Sequence, residues 1–174
     1  MTTCTSSYQN HSKTTFRPAS NPMTTQPSEL LVSHDASSAN PPVVVNHPGT
    51  LASLTRAFGQ YEQALVHNTV EVLDALFWDS PHTLRFGAGE NLWGSAQIRA
   101  FRAARPAVGL AREVISQHIV TFGQLDVGNP SGVANITFSR AGQTRIGRQS
   151  QSWVYFGSTA GWQVVAAHVS WMEA

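Results

Sequence analysis

The sequence predicts an α+β domain, and three observations carry that prediction. Helical apolar stripes fill the first half of the folded part, and β-branched and aromatic runs fill the second. Short turns rich in glycine, asparagine and proline separate those runs. Helices gathered on one face of a curved antiparallel sheet would enclose a cone-shaped hollow between the two layers.

The chain has 174 residues, 41% of them apolar and 12% charged, which suits one domain with a core of useful size. Residues 1–45 differ from the rest. Proline, serine, threonine and asparagine dominate there without periodicity, and such a stretch buries too little apolar surface to offset its ordering entropy. It is expected to be a disordered leader, with the folded domain over residues 46–174.

The elements follow in order. Leu51, Leu54, Phe58, Tyr61 and Leu65 recur at three- and four-residue steps, one stripe of an amphipathic helix. Asn68, with Glu71 three residues on, reads as the cap of a second helix that buries Val72, Leu73, Leu76 and Phe77 and stops at Pro81. Thr83 to Phe86 reads as a short strand, and Gly87, Gly89 and Gly94 as turns. Ser95 reads as the cap of a third helix, with Ile98, Phe101, Arg102 and Arg105 on one side and Pro106 as its stop. Strands are then expected over Arg112 to Phe122, Val133 to Phe138, Gln149 to Phe156 and Trp162 to Trp171.

The charges narrow the function. Eleven basic residues against ten acidic ones leave a net charge of +1, and no basic cluster marks a nucleic-acid binder. Of the eleven, Lys13 alone is lysine. Arginine is the permanently charged fork that grips carboxylates bidentately, so the bias points toward anionic groups. A single cysteine, Cys4, rules out an internal disulfide and suits a reducing compartment. No apolar run is long enough for a membrane helix, and no secretory signal opens the chain. A cytoplasmic location is the expectation.

Tyr61 sits in the buried stripe of the first helix, either as a core tyrosine or as a phenol set at a pocket. Arg85 alternates with Leu84 and Phe86; it faces solvent, pairs with an acid such as Glu90, or lines the hollow, and the nearby glycines favour the last. Arg102 and Arg105 share the apolar side of the third helix, where an inward cation needs an anionic partner such as a carboxylated substrate. Arg99 points elsewhere, as a surface charge. Arg148 lies in step with Ser150 and Ser152, and His168 in step with Val164, Ala166 and Ser170. A Ser150–His168–Asp126 triad lacks the Gly-x-Ser-x-Gly elbow. His118 and His168 lack metal-ligand spacing, and the glycines match no phosphate or dinucleotide loop.

These segments resemble a known family. Tyr61-Glu62-Gln63-Ala64-Leu65, Leu84 to Gly94, Ile98 to Pro106, Gly147 to Trp153 and Val164 to Ser170 are similar to the oxalurate-catabolism accessory proteins and the decarboxylating 1,3-dicarboxyurea amidohydrolase of cyanuric acid breakdown. The resemblance covers roughly residues 45–172 and implies the SnoaL-like, nuclear-transport-factor-2-like cone, with copies dimerising through their sheet faces. It implies Tyr61 and Arg85 as the essential pair, with no metal or organic cofactor. Phe86 and Trp93 stand where tyrosine is common in relatives. Arg102, Arg105, Arg148, Ser150 and His168 complete the candidate substrate-binding set. Beside amidohydrolysis stand two other readings: an accessory protein that partners an amidase, and an isomerase or dehydratase using His168 in a large apolar cavity.

Overall fold

A computed structural model describes residues 42–172, so residues 1–41 of the expected leader lie outside it. The described chain is tied to the sheet from Val44 onward. Asn46 donates its backbone N–H to the Thr121 carbonyl at 2.9 Å, and the Gly123 N–H bonds Val44 at 2.8 Å.

Three helices precede most of the sheet: α1 (Pro48–Val66), α2 (Val70–Ala75) and α3 (Gly94–Ala104). Between α2 and α3 lie β1 (Leu84–Phe86) and β2 (Asn91–Trp93), and after them β3 (Glu113–Phe122), β4 (Ser131–Ser139), β5 (Ile146–Tyr155) and β6 (Trp162–Met172). A four-residue helix, α4 (Gly157–Ala160), occupies the turn between β5 and β6. The curved, open sheet runs β2-β1-β6-β5-β4-β3. Its pairs are antiparallel except β1 with β6, which is parallel. β3 to β6 form a meander, and β1, drawn from the helical half, docks on the edge of β6 that the meander leaves open.

The helical stripe behaves as its spacing predicts: Leu54, Phe58, Tyr61 and Leu65 are buried against Trp153, Ile136 and Val164 of the sheet. Two expected caps are not caps. Asn68 adopts φ +54° just before Thr69, the residue that opens α2, and its side chain turns to Arg105 instead. Ser95 lies inside α3, its hydroxyl donated to Asp79 at 2.6 Å. Val72 is exposed, because only Leu73 of the six-residue α2 reaches the core.

The glycine-rich stretch after β1 forms a hairpin with β2 rather than turns alone. Gly87 donates to the Glu90 carbonyl at 2.7 Å, and a Cβ on Gly87 would collide with the Glu90 carboxylate folded over it. Gly94 starts α3 at φ +77°, and a Cβ there would lie 3.3 Å from Pro81 Cα, a conformation and an approach that favour glycine.

The faces of the sheet are set by strict alternation on β5. Gly147, Gln149, Gln151 and Trp153 are buried toward the helices, while Arg148 and Ser150 are exposed on the outer face. On β6 the register shifts at Val165: Trp153 pairs with Val164, and Ser152 pairs with Ala166. That extra residue inverts the alternation. Val164 and Ala167 therefore face the helices, and His168 faces outward.

Candidate functional site

Tyr61 projects from the middle of α1 toward β5. Its ring meets Trp153 edge-on at 6.3 Å and lies 6.3 Å from Phe77, which follows α2. The Phe77 ring in turn carries the Arg102 guanidinium at 4.0 Å. Tyr61 is 6% exposed, so the phenol belongs to the core as well as to the site.

Arginines from four elements lie on this side of the sheet, Arg102, Arg105 and Arg140 among them as neighbours of the phenol, and carboxylates neutralise only some of them. Arg102 of α3, nearly enclosed, donates to Asp74 of α2 at 2.6 Å. Burial lowers its pKa, the Asp74 hydrogen bond and the neighbouring Tyr61 pull it back up, and Arg85 adds to the lowering. Arg85 of β1 pairs with Glu90 and lies over Phe101 at 4.8 Å. Arg112, at the start of β3, donates Nε to Glu62 of α1 at 3.0 Å and Nη1 to Gln149 at 3.2 Å.

Two further arginines have no carboxylate partner among the described residues. Arg105, at the C-terminal end of α3, bonds Asn68 at 2.9 Å and keeps a buried Nε without a partner. Burial lowers its pKa, Tyr61 raises it, and Arg85, Arg102 and Arg140 lower it further. Arg140, just past β4, stacks against Phe138 at 5.5 Å and Trp171 at 5.8 Å, and its Nε is likewise buried and unpaired. Burial lowers its pKa most, Arg112 adds to that, and Tyr61 opposes. Tyr61 is thus the shared electrostatic neighbour of Arg102, Arg105 and Arg140. A phenol beside unneutralised guanidinium groups can bind an anion and pass a proton within it.

The structure brings Tyr61, Arg85, Arg102 and Arg105 to the helix-facing side of the sheet. It separates Arg148, Ser150 and His168 from them, which corrects the expectation of one shared hollow. Those three line an open 340 Å³ concavity on the outer face, with Ser116, His118 and Ser170. Arg148 donates there to Ser170 at 2.9 Å. For His168 the cause is the extra residue at Val165, which no count along the strand shows. For Arg148 and Ser150 the signal was present: Trp153, a large aromatic, shares its parity with Gln149 and Gln151. Sequence reasoning missed Arg140, which lies in a turn, and the inward glutamines. Arg99 is at the surface as expected, 3.0 Å from Asp79. Among the described residues, no three His, Cys, Asp or Glu side chains converge as a metal set.

The layered arrangement, three helices against a curved and open sheet, is the cystatin-like fold that nuclear-transport-factor-2-like (NTF2-like) proteins share. A Pseudomonas putida NTF2-like protein matches it at TM-score 0.53 and 12% identity, over 70% of this chain and 86% of that one. The family is narrower: residues 43–174 match the AtzH-like family model, and the chain belongs to the AtzH-like family. A Pectobacterium atrosepticum protein of unknown function from the DUF3225 family is 50% identical, with TM-score 0.69 over 74% of this chain and 95% of that one. A Burkholderia xenovorans cystatin-like fold protein is 34% identical, with TM-score 0.70 over 76% and 99%. No curated protein matches the chain. No helix among the described residues is long and apolar enough to cross a membrane.

Proposed function

We propose that this protein is a cofactor-independent hydrolase of small, linear N-carboxylated ureas or amides. The substrate we assign is 1,3-dicarboxyurea, cleaved to allophanate and carbon dioxide. The observation that supports this most is the company Tyr61 keeps: a buried phenol next to arginines of which Arg105 and Arg140 have no carboxylate and each keep a buried, unpaired Nε. A dianionic substrate supplies the missing negative charge.

In this reading Arg85 exchanges Glu90 for one substrate carboxylate, a charge-assisted and bidentate contact. Arg105 and Arg140 hold the second, at the other end of the urea. Tyr61 gives its proton to the nitrogen that bears the departing carboxylate. The N–C bond breaks with its electron pair remaining on nitrogen, and the carboxylate carbon leaves as carbon dioxide. The surrounding guanidinium groups stabilise the phenolate until a proton from water restores it. Arg102, already held by Asp74, shapes the site rather than binding substrate. Two copies are expected to meet on the outer sheet face, away from Tyr61.

Turnover of 1,3-dicarboxyurea by wild type, Tyr61→Phe and Arg85→Ala, each checked for folding by circular dichroism, tests the reading. Loss of a general acid costs about 10²–10⁴-fold, and equal turnover in the variants sinks the assignment. An inactive wild type that co-purifies with an amidase supports the accessory reading instead. The isomerase or dehydratase reading needs His168 beside the substrate, and its outward position takes that support away.

A further inference from the structure

Gln149, Gln151 and Trp153, successive inward residues of β5, carry buried polar atoms that no protein group satisfies. These are Gln149 Nε2, both amide atoms of Gln151, and Trp153 Nε1. Folded proteins pair nearly all such atoms, so a run of them on one strand calls for an occupant with donors and acceptors of its own. Gln151 is the extreme case, fully enclosed with neither end of its carboxamide engaged.

Its neighbours show where that occupant fits. Across the sheet, Arg85 pairs with Ala167, Ala167 with Gln151, and Gln151 with Ala134. Gln151 is therefore flanked by alanine on both sides, and only the Ala167 methyl stands between it and Arg85. Two strand spacings put their backbones about 9–10 Å apart, a gap that a short linear molecule bridges once both side chains reach inward. Tyr61 stands over the next inward residue, with its ring against Trp153.

We propose that Gln151 is the specificity-determining residue of this site, reading the amide or urea portion of a small carboxylate whose anionic end is held by Arg85. The substrate N–H donates to Gln151 Oε1, and Gln151 Nε2 donates to the substrate carbonyl, in the reciprocal pairing of two planar amides. This inference rests on the hydrolase reading of the Tyr61–Arg85 site and names the chemical class that site selects. A site built to hydrogen-bond a group strongly rejects the analogue that lacks it, because its own polar atoms are then left unpaired. Gln151 is fully enclosed, so a ligand reaches it only as neighbouring side chains yield.

Two probes isolate the amide. N-carbamoylglycine and 4-methylpentanoate share a carboxylate and the same branched skeleton of non-hydrogen atoms, and only the first has the urea. Titration calorimetry and thermal shift on the full chain compare wild type, Gln151→Met and Arg85→Ala, with Gln151→Leu as a second variant should the first fail to fold. Wild type is expected to prefer N-carbamoylglycine by at least about 100-fold, well short of the roughly 10⁴–10⁵ that sites built to hydrogen-bond a group reach. The Gln151 variant is expected to bind both probes within about threefold, with a ligand-free Tm equal to or above that of wild type, since it removes an unsatisfied buried amide. A variant that keeps the preference overturns the role of Gln151 and leaves the hydrolase reading intact. An Arg85→Ala protein that binds both probes like wild type overturns the carboxylate seat of that reading. A wild type that binds neither probe overturns the role of Gln151, while the turnover of dianionic 1,3-dicarboxyurea decides the hydrolase reading separately.

Discussion

Removing Asp74 should destabilise the protein more than removing the arginine it serves. The Arg102 side chain is 5% exposed, the Asp74 side chain is 22% exposed, and they meet at 2.6 Å. Asp74→Ala leaves a nearly enclosed guanidinium without its carboxylate, and breaking a buried pair from one side costs about 3–5 kcal/mol. Asp74 lies toward the end of α2 at a partly open position, so water can enter and the lower end, about 3 kcal/mol, applies. Arg102→Met instead removes the buried charge and fills much of its volume. The Asp74 carboxylate left behind can reach water, and the contact with Phe77 at 4.0 Å is lost. That contact is worth about 1 kcal/mol, which sets the expected cost of the variant. Urea unfolding followed by tryptophan fluorescence measures both, because Trp153 is fully enclosed in the native state. A gap of about 2 kcal/mol between the variants, insensitive to salt as expected for a buried pair, supports the assignment. Arg102→Met costing more than Asp74→Ala would refute it and return Arg102 to the substrate-binding set.

Glu90→Gln should raise carboxylate affinity about tenfold, since a neutral amide competes for the Arg85 fork far less well than the carboxylate now there; malonate titration reads this directly. Arg140→Met should leave stability unchanged or improved, because it relieves repulsion with Arg112, while weakening malonate binding at least tenfold. Unchanged affinity would remove Arg140 from the site. Asp79 is held below its ordinary value of 3.8 first by the Ser95 hydroxyl, then by Arg99. Its folded pKa lies under its unfolded one, so its stabilising contribution is present above pH 3.8 and disappears as pH falls through the folded value. Acid unfolding curves of wild type and Asp79→Asn should therefore diverge near neutrality and converge at the acid end.

The helical half was legible because period and burial agree there: Leu54, Phe58, Tyr61 and Leu65 lie on one stripe whatever they pack against. The strands were legible as strands but less so as faces. A period of two reverses with any single insertion, and the insertion at Val165 turned His168 to the outer face. The hairpin of β1 and β2 was hidden for another reason. Three-residue strands carry too few residues to show alternation, and their stability comes from docking on β6. Tyr61 and Arg85 stood out by residue type and neighbours. Arg140 did not, because its placement comes from stacking on Phe138 and Trp171, residues of two different strands.

The arginine bias of the composition acquires a physical meaning from these pairings. Arg85, Arg102 and Arg112 each have a carboxylate, from Glu90, Asp74 and Glu62. Arg105 and Arg140 do not, yet both are partly buried and repel charges of their own kind. Such an arrangement is costly when empty and would not persist for stability alone, since apolar residues of similar volume would serve the core better. Arg105 is pushed down first by burial and further by Arg85, Arg102 and Arg140, with Tyr61 opposing. An anion bound beside Tyr61 would reverse that balance for Arg105 and Arg140 at once. On the helix-facing side of the same sheet the amide of Gln151 is also unpaired, and being neutral it gains nothing from charge. Guanidinium groups without carboxylates and an amide without partners are complementary to one kind of molecule: short, anionic at its ends and amide-like between them.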